Sequence, residues 1–269
     1  MTAIKRAILI AAGRGKRLGT HTDEIPKCMV QVGDRPILGW VWGALSAAGV
    51  EELVVIRGYR GDVLETFVRS LVPNVTFVDN HEWQTNNVLL SMACARKFLD
   101  QPTYLTYSDI IFTPAVAKAA AASKAEIGLV IDRQFRSIYV GRTDHPLEEG
   151  EVSDLMPDGS VARVGKRALP PEEAVGEYIG LARLGERGVA TVANTLDQLQ
   201  RQFAGREHDP FVRAASFRNA YQTDLWQTLI DSGIQVDPIL IDGQWREIDT
   251  GQDLASARQL VQSSTKEWS

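Results

Sequence analysis

The sequence predicts an α/β protein built on a doubly wound, mainly parallel sheet with a small β-rich lobe. Three observations predict it. Short apolar runs alternate with segments of helical spacing through the first half. The first run breaks into a glycine turn crowded with cations. Beyond Ile131 the alternation gives way to polar, turn-rich text with a hairpin signal.

Ala7–Ala12 reads as a fully buried strand. Pro36–Ala48 has large apolar residues at helical spacing and stops at Gly49. Glu52–Ile56 is a second strand, followed by a turn and a helix over Val63–Leu71. Val75–Val78 is a short strand, and Asn87–Phe98 a helix. Thr103–Tyr107 leads as a strand into Ser108 and Asp109. Pro114–Ser123 is an alanine-rich helix and Ile127–Ile131 another strand. "PDGS" then turns a hairpin between Val152–Met156 and Val161–Val164. "GEYIGLARL" is one more strand. Helices follow near Ala190–Phe203 and Ala220–Asp231. Val236–Ile241 and "WREIDT" close the sheet. A last helix, Gln252–Val261, leads to a polar tail read as frayed. One domain over 1–269 is expected: a nucleotide-binding half (1–131), an acceptor-binding half that closes the sheet (132–257), and a tail (258–269).

The chain has 269 residues, 44% hydrophobic and 23% charged, with a net charge of -5. That balance excludes an overall basic surface for nucleic acid. No apolar run approaches the roughly 20 residues a membrane span needs, and no signal peptide is read at the N-terminus. Cys28 and Cys94 form no CxxC, and no HExxH occurs. A reduced cytoplasmic protein is expected.

The chemistry starts in "AILIAAGRGKRLGTHTDEIPK", Ala7–Lys27. Gly13 and Gly15 allow sharp turning and close approach to a ligand, and exposed N–H groups there can cradle an anion. Arg17 offers a planar fork to phosphate oxygens, and Lys27 a point charge. Arg14 and Lys16 are read as facing solvent or a phosphate tail. GxxxxGK[ST] fails because arginine follows Gly-Lys; GxGxxG fails because Leu18 takes the third glycine position. What fits is A-A-G-x-G-x-R-[ML] with P-K about ten residues on, followed by "VQVGDRPIL". This resembles the nucleotidyltransferase superfamily, which joins a nucleoside triphosphate to a small phosphorylated molecule on a Rossmann-like sheet. The resemblance implies a triphosphate wrapped by Ala11, Ala12, Gly13 and Gly15, with Arg17 and Lys27 as the catalytic cations.

Anion attacking anion calls for a divalent cation, Mg²⁺ or Mn²⁺. Asp109 lies where a parallel strand ends, the place open sheets put ligands. Asp249 follows Glu247 by two residues, so a strand would point both to one face. The resemblance makes Asp109 and Asp249 metal ligands, with Glu247 as an added candidate. Taken alone, either aspartate reads equally well as a turn former or helix cap. "TNNVLLSM" falls where that superfamily reads the nucleobase, so Asn86, Asn87 and Ser91 are candidates; Asn there also suits a helix N-cap.

The middle of the chain, "IDRQFRSIYVGRTDHPLEEGE", then "VGK" and "GEYIGLARL", resembles cytidylyltransferases acting on phosphocholine or 2-aminoethylphosphonate. That implies CTP and a zwitterionic phosphate or phosphonate acceptor. Carboxylates and aromatic faces hold ammonium groups, so Asp132, Glu177, Tyr139, Tyr178 and Trp245 are candidates, with Lys166 and Arg133 for the anionic end. Arg136 and Arg142 read as solvated loop charges. Phe135 stands where these relatives lead one to expect tryptophan. Residues 133–150 are read as a loop closing over the acceptor. A homodimer is compatible with the sequence. Two rivals stand beside this reading: a sugar- or cyclitol-1-phosphate nucleotidyltransferase, and a non-catalytic regulatory subunit of the same fold.

Overall fold

The computed structural model describes residues 3–264 and Trp268. Four strands, β1 (Arg6–Ala11), β4 (Glu52–Arg57), β5 (Val75–Asp79) and β6 (Thr103–Tyr107), pair in parallel in the order β5–β4–β1–β6. The helices between them, α1 (Ile37–Ala47), α2 (Gly61–Leu71) and α3 (Val88–Cys94), make the parallel crossovers. A small ribbon, β2 (Gln31–Val32) with β3 (Arg35–Pro36), precedes α1. After β7 (Ile110–Phe112) and α4 (Pro114–Ala122), β8 (Ile127–Asp132) carries the sheet onward.

The second half enters the same sheet. The hairpin β9 (Glu151–Leu155) and β10 (Val161–Lys166) is followed by β11 (Gly176–Leu184). β11 runs antiparallel between β6 and β8, and its first residues pair with β9. The hairpin therefore extends the main sheet and does not build a sheet of its own. Helices α5 (Glu186–Gln202) and α6 (Gln222–Asp231) precede β12 (Asp237–Ile241), which lies parallel to β8. β13 (Trp245–Glu247) pairs with β7, and α7 (Gly251–Ser263) ends the fold.

β1 shows why the strands form. All six residues are buried, and alternate side chains feed opposite cores. Ile8 and Ile10 pack with Leu105, Leu129 and Trp226 on one face; Ala7 and Leu9 pack with Leu38, Val55 and Val130 on the other. A third cluster of Leu18, Val32, Ile111, Ile248 and Leu254 binds the glycine-loop region to β7 and α7. It fixes both halves of the site to each other.

The differences from expectation have local causes. α3 stops at Cys94 and a 3-10 turn covers Arg96–Phe98, where Asp197 and the Ala193 carbonyl take the Arg96 guanidinium. β7 hides in "IIF" just before the proline of α4, and its pairing with β13 ends the strand at Glu247. The aspartate capping α7 is Asp253, in a capping box with Thr250; Asp249 is left to the site. α7 runs to Ser263, and Trp268 of the expected frayed tail is buried edge-on against Trp40, centroids 5.8 Å apart. Residues 265–267 and 269 of that tail lie outside the described residues.

Candidate active site

Strand β1 delivers its chain to a tight turn. Ala11 and Ala12 stay buried, and the Ala12 carbonyl accepts from Tyr59 N at 2.9 Å. Gly13 has open space where a Cβ would stand. Gly15 is left-handed (φ 74°), and a Cβ there would meet Lys27 side-chain carbons at 2.8 Å. The position thus needs glycine for its backbone and for the lysine packed beneath it. The Gly15 carbonyl accepts from Leu18 N and Thr22 Oγ1. We expect Gly15→Ala to cost about 1–3 kcal/mol in urea unfolding, and to lower activity by displacing Lys27. Arg14 turns away to Asp23 and lies against Tyr59.

The β7–β13 pairing brings the two aspartates together across 140 residues of chain. Buried Lys27 lies between them: its ammonium donates to Asp109 Oδ2 at 3.0 Å and also to Asp249 Oδ1. Arg17 donates to Asp249 Oδ2 and reaches Glu149 at 3.4 Å. Burial works against the Lys27 charge, but Asp109 and Asp249 outweigh it and hold the ammonium above the ordinary lysine range. Burial likewise opposes the Asp249 carboxylate; Lys27, His145 and Arg17 overcome it and hold Asp249 well below the usual value. Arg17 is half exposed, so it can leave Asp249 for an incoming anion.

Behind this cluster stands a network that the sequence reading missed. His145, almost fully buried, places Nδ1 3.3 Å from Asp249 Oδ2 and 3.4 Å from Glu247 Oε2. Arg142 donates to Glu247 Oε2 at 2.8 Å and to Asp253 Oδ1 at 2.7 Å. Asp253 in turn accepts from the Asp249 and Thr250 N–H groups. Arg142 is therefore a buried support, not a solvated loop charge. Arg136 grips the carbonyls of Pro171, Glu172 and Ala174. Burial and Asp249 raise Glu247, eased by His145 and Arg142.

The donors suit a hard divalent cation. Asp109 Oδ1 is buried without a hydrogen-bond partner. Donor atoms of His145, Glu247 and Asp249 lie within 4.8 Å of one another. Carboxylate oxygens of this kind favour Mg²⁺ or Mn²⁺ over softer metals.

Next to the aspartates a cavity of about 240 Å³ opens at the C-terminal end of β6. Arg17, Asn87, Asp109, Lys166, Glu177, Tyr178, Trp245, Glu247 and Asp249 of the expected residues line it. Tyr107, Glu149, Glu151 and Tyr221 also line it and were not anticipated. A bulge in β11 aims Glu177 and Tyr178. The register with β8 shifts between Tyr178 and Ala182, and Gly180 (φ 84°) leaves room for the Tyr107 ring.

Glu177 accepts from Tyr139 Oη at 2.6 Å through Oε1, while its Oε2 is buried and unpartnered. Glu151 accepts from Tyr107 Oη at 3.1 Å. Burial pushes both carboxyls up to about 8; Lys166 opposes this at Glu151, and Glu247 adds to it at Glu177. Tyr178 donates to Gln222, leaving its ring at the wall.

Several expected residues are elsewhere. Asp132 is fully buried and taken up by the N–H groups of Gln134 and Gly243 and by Trp245 Nε1. It orients Trp245 and does not line the cavity beside the aspartates. Arg133 points outward and pairs with Asp242. Tyr139 sits behind Glu177, stacked under Arg142. Phe135 is core, packed with Val152 and Leu169. Asn86 exchanges two hydrogen bonds with Asn80, which also donates to Ser91, so neither Asn86 nor Ser91 faces this cavity. Asn87 holds the N-cap position of α3, but its side chain donates to the Asn219 carbonyl and does not cap.

Cations beside carboxylates, under a glycine turn and at the carboxyl end of parallel β6, fit one class of protein: a nucleotidyltransferase. Known proteins agree. The chain belongs to the family described as the MobA-like NTP transferase domain, which matches residues 7–148. It is 30% identical over 254 residues to the CTP:phosphoglutamine cytidylyltransferase of Campylobacter jejuni, covering 92% of this chain and 97% of that one. It is 29% identical over 161 residues, 60% of each chain, to the 2-aminoethylphosphonate cytidylyltransferase of Lancefieldella rimae. Among solved structures, the inositol-1-phosphate CTP transferase from T. maritima shares the fold with a TM-score of 0.75 at 22% identity, covering 99% and 98% of the two chains.

Proposed function

We propose that this nucleotidyltransferase uses CTP and transfers CMP to a small phosphate or phosphonate that also carries an ammonium group, releasing pyrophosphate. One observation carries the acceptor half of this reading. Glu151, Glu177 and Glu247 converge on one cavity, and Glu177 keeps a buried oxygen with no partner. Glu247 already meets Arg142 and Glu151 meets Tyr107, so the open oxygen on Glu177 is the one that calls for a donor cation, and Tyr107, Tyr178, Tyr221 and Trp245 offer rings to it. Relatives named for CTP, phosphoglutamine and 2-aminoethylphosphonate support the same choice.

In this reading the loop from Ala12 to Gly15 receives the triphosphate. Arg17 leaves Asp249 and Glu149 to meet the phosphate oxygens. Lys27, kept charged by its aspartates, stabilises charge at the transferred phosphorus. The acceptor oxygen attacks in line; the new P–O bond forms as the bond to pyrophosphate breaks. That oxygen is already anionic near neutral pH, so the chain supplies position and charge and no general base. Asp109 and Asp249 would hold a divalent cation, Mg²⁺ or Mn²⁺, which when bound screens the phosphates and orients the nucleophile. Asn87 is the candidate left for the base edge, by its place on the cavity wall. No helix among the described residues is long and apolar enough to cross a membrane; a cytoplasmic, reduced setting is proposed from the composition.

Pyrophosphate release across CTP, UTP, GTP, ATP and dTTP, each with phosphocholine, 2-aminoethylphosphonate, glucose 1-phosphate and inositol 1-phosphate, tests the reading. It predicts turnover with CTP and the amine-bearing acceptors. Turnover confined to sugar or cyclitol phosphates would favour the rival enzyme. No turnover with any combination would favour a regulatory subunit.

Glu177 supplies a pH test with two signs. Its carboxyl is raised from 4.5 to about 8, so its contribution to stability is full below the unfolded value and is lost as pH rises through the folded one. Glu177→Gln should therefore raise the melting temperature of the ligand-free protein above about pH 8. The same change should weaken an amine acceptor about tenfold or more. In the native enzyme KM for such an acceptor should fall as pH rises through about 8, where the carboxyl ionises.

A further inference from the structure

A second cavity, of about 460 Å³, adjoins the first and shares Glu149, Lys166 and Tyr221 with it. Arg167, Arg213 and the first turn of α6 form its other walls. Asp224 is engaged by the N–H groups of Tyr221 and Arg213; Glu149 faces Arg17 and His145 and keeps His145, 3.6 Å away, when Arg17 turns to the phosphates. Glu148 remains at the rim. Of the cations, Arg213 already donates to the Val164 carbonyl at 3.1 Å and to Gln227 Oε1 at 3.2 Å, while Lys166 and Arg167 are freer. The Lys166 ammonium lies over the Tyr221 ring, 4.9 Å from its centre, at the seam between the cavities. Arg167 is exposed and makes no side-chain hydrogen bond or ion pair among the described residues. Its backbone is left-handed (φ 57°), as is that of Val212 (φ 50°) next to Arg213. Such conformations are uncommon away from glycine and are held by their surroundings.

We propose that this second cavity is an anion subsite that takes a carboxylate carried by the acceptor, remote from its attacking phosphate. The proposal rests on the main cavity being the acceptor pocket. Lys166 and Glu151 are direct partners across the β9–β10 hairpin. A cation-binding and an anion-binding group therefore stand side by side, as the ammonium and carboxylate on one carbon atom require. Arg167 supplies a fork suited to a carboxylate. The acceptor class is then a phosphorylated or phosphonate amino acid, and simple amines are its poorer analogues.

Matched probes test this: O-phosphoserine against phosphoethanolamine, and 2-amino-5-phosphonopentanoate against 4-aminobutylphosphonate. Each pair differs by a carboxylate alone, and the pairs differ in length. Calorimetric binding to the full chain with Mg²⁺ and a non-hydrolysable CTP analogue is the readout, with kcat/KM beside it. The carboxylate member of at least one pair should bind about tenfold tighter. Arg167→Asn, which suits a left-handed backbone, should bring it down to its partner, and Arg167→Glu should bring it lower still. Equal binding within both pairs, or a gap that survives both variants, overturns the subsite while leaving the amine-acceptor reading intact. If none of the four probes binds and glucose 1-phosphate does, both readings fall.

Discussion

Replacing Lys27 with methionine should lower kcat by about 10²–10³-fold, because a charge aimed at the transferred phosphate is worth that much in a site that excludes water. The same change should lower stability in urea by about 3 kcal/mol, since it removes the cation between buried Asp249 and part-exposed Asp109 and leaves Asp249 to Arg17 and His145. Lys27 is buried and touches both Asp109 and Asp249. Methionine keeps the volume and removes only the charge. A second consequence separates charge from packing. With the ammonium gone, Asp109 and Asp249 would take Mg²⁺ more readily, so Mg²⁺ should raise the melting temperature of Lys27→Met more than that of the native chain. Melting curves with Mg²⁺ and with EDTA measure this. Full activity with an unchanged Mg²⁺ effect would contradict the assignment.

Asp109→Asn should be as severe in activity and mild in stability. Among the described residues Asp109 makes one side-chain ion pair, to Lys27, and its other oxygen has no partner. Little of the fold depends on it, so unfolding should change by about 1 kcal/mol or less. Catalysis should fall by about 10³-fold even at saturating Mg²⁺, with a higher Mg²⁺ requirement. Steady-state kinetics across a Mg²⁺ titration, with a urea curve on the same sample, gives both values. Unchanged turnover at saturating Mg²⁺ would remove Asp109 from the metal site. Asp249→Asn is less clean as a probe, because Asp249 also anchors Lys27, Arg17 and His145.

The parts of the site that were legible in the sequence lie where local pattern and chemistry coincide. Gly15 and Lys27 stand out because four cations crowd the glycine turn and its A-A-G-x-G-x-R…P-K spacing resembles the superfamily, and the structure shows the two residues in contact. Asp109 and Asp249 each follow a strand, but that position alone suits a turn or cap as well; the superfamily resemblance is what singles them out. Their meeting depends on β7, a three-residue strand that no periodicity marks.

The acceptor end was harder to read. Asp132 and Glu177 are direct partners on neighbouring strands, yet Asp132 is taken up by two backbone N–H groups and a tryptophan, while Glu177 faces the cavity. No sequence feature separates the two. Arg142 and His145 sit in polar, turn-rich text that reads as surface, but buried Glu247 and Asp253 draw them inward. Asn86 and Asn87 are adjacent and look interchangeable. A reciprocal pair with Asn80 turns the first away and leaves the second at the wall. Each of these differences turns on which long-range partner a polar group finds, which spacing does not encode.

The most direct measurement is the transfer itself, followed by ³¹P NMR with CTP, Mg²⁺ and 2-aminoethylphosphonate. CTP signals should decay into pyrophosphate and into a coupled pair from a new phosphonate–phosphate anhydride, in equal amounts. CTP left intact with this acceptor and with phosphocholine, while glucose 1-phosphate or inositol 1-phosphate is converted, would contradict it.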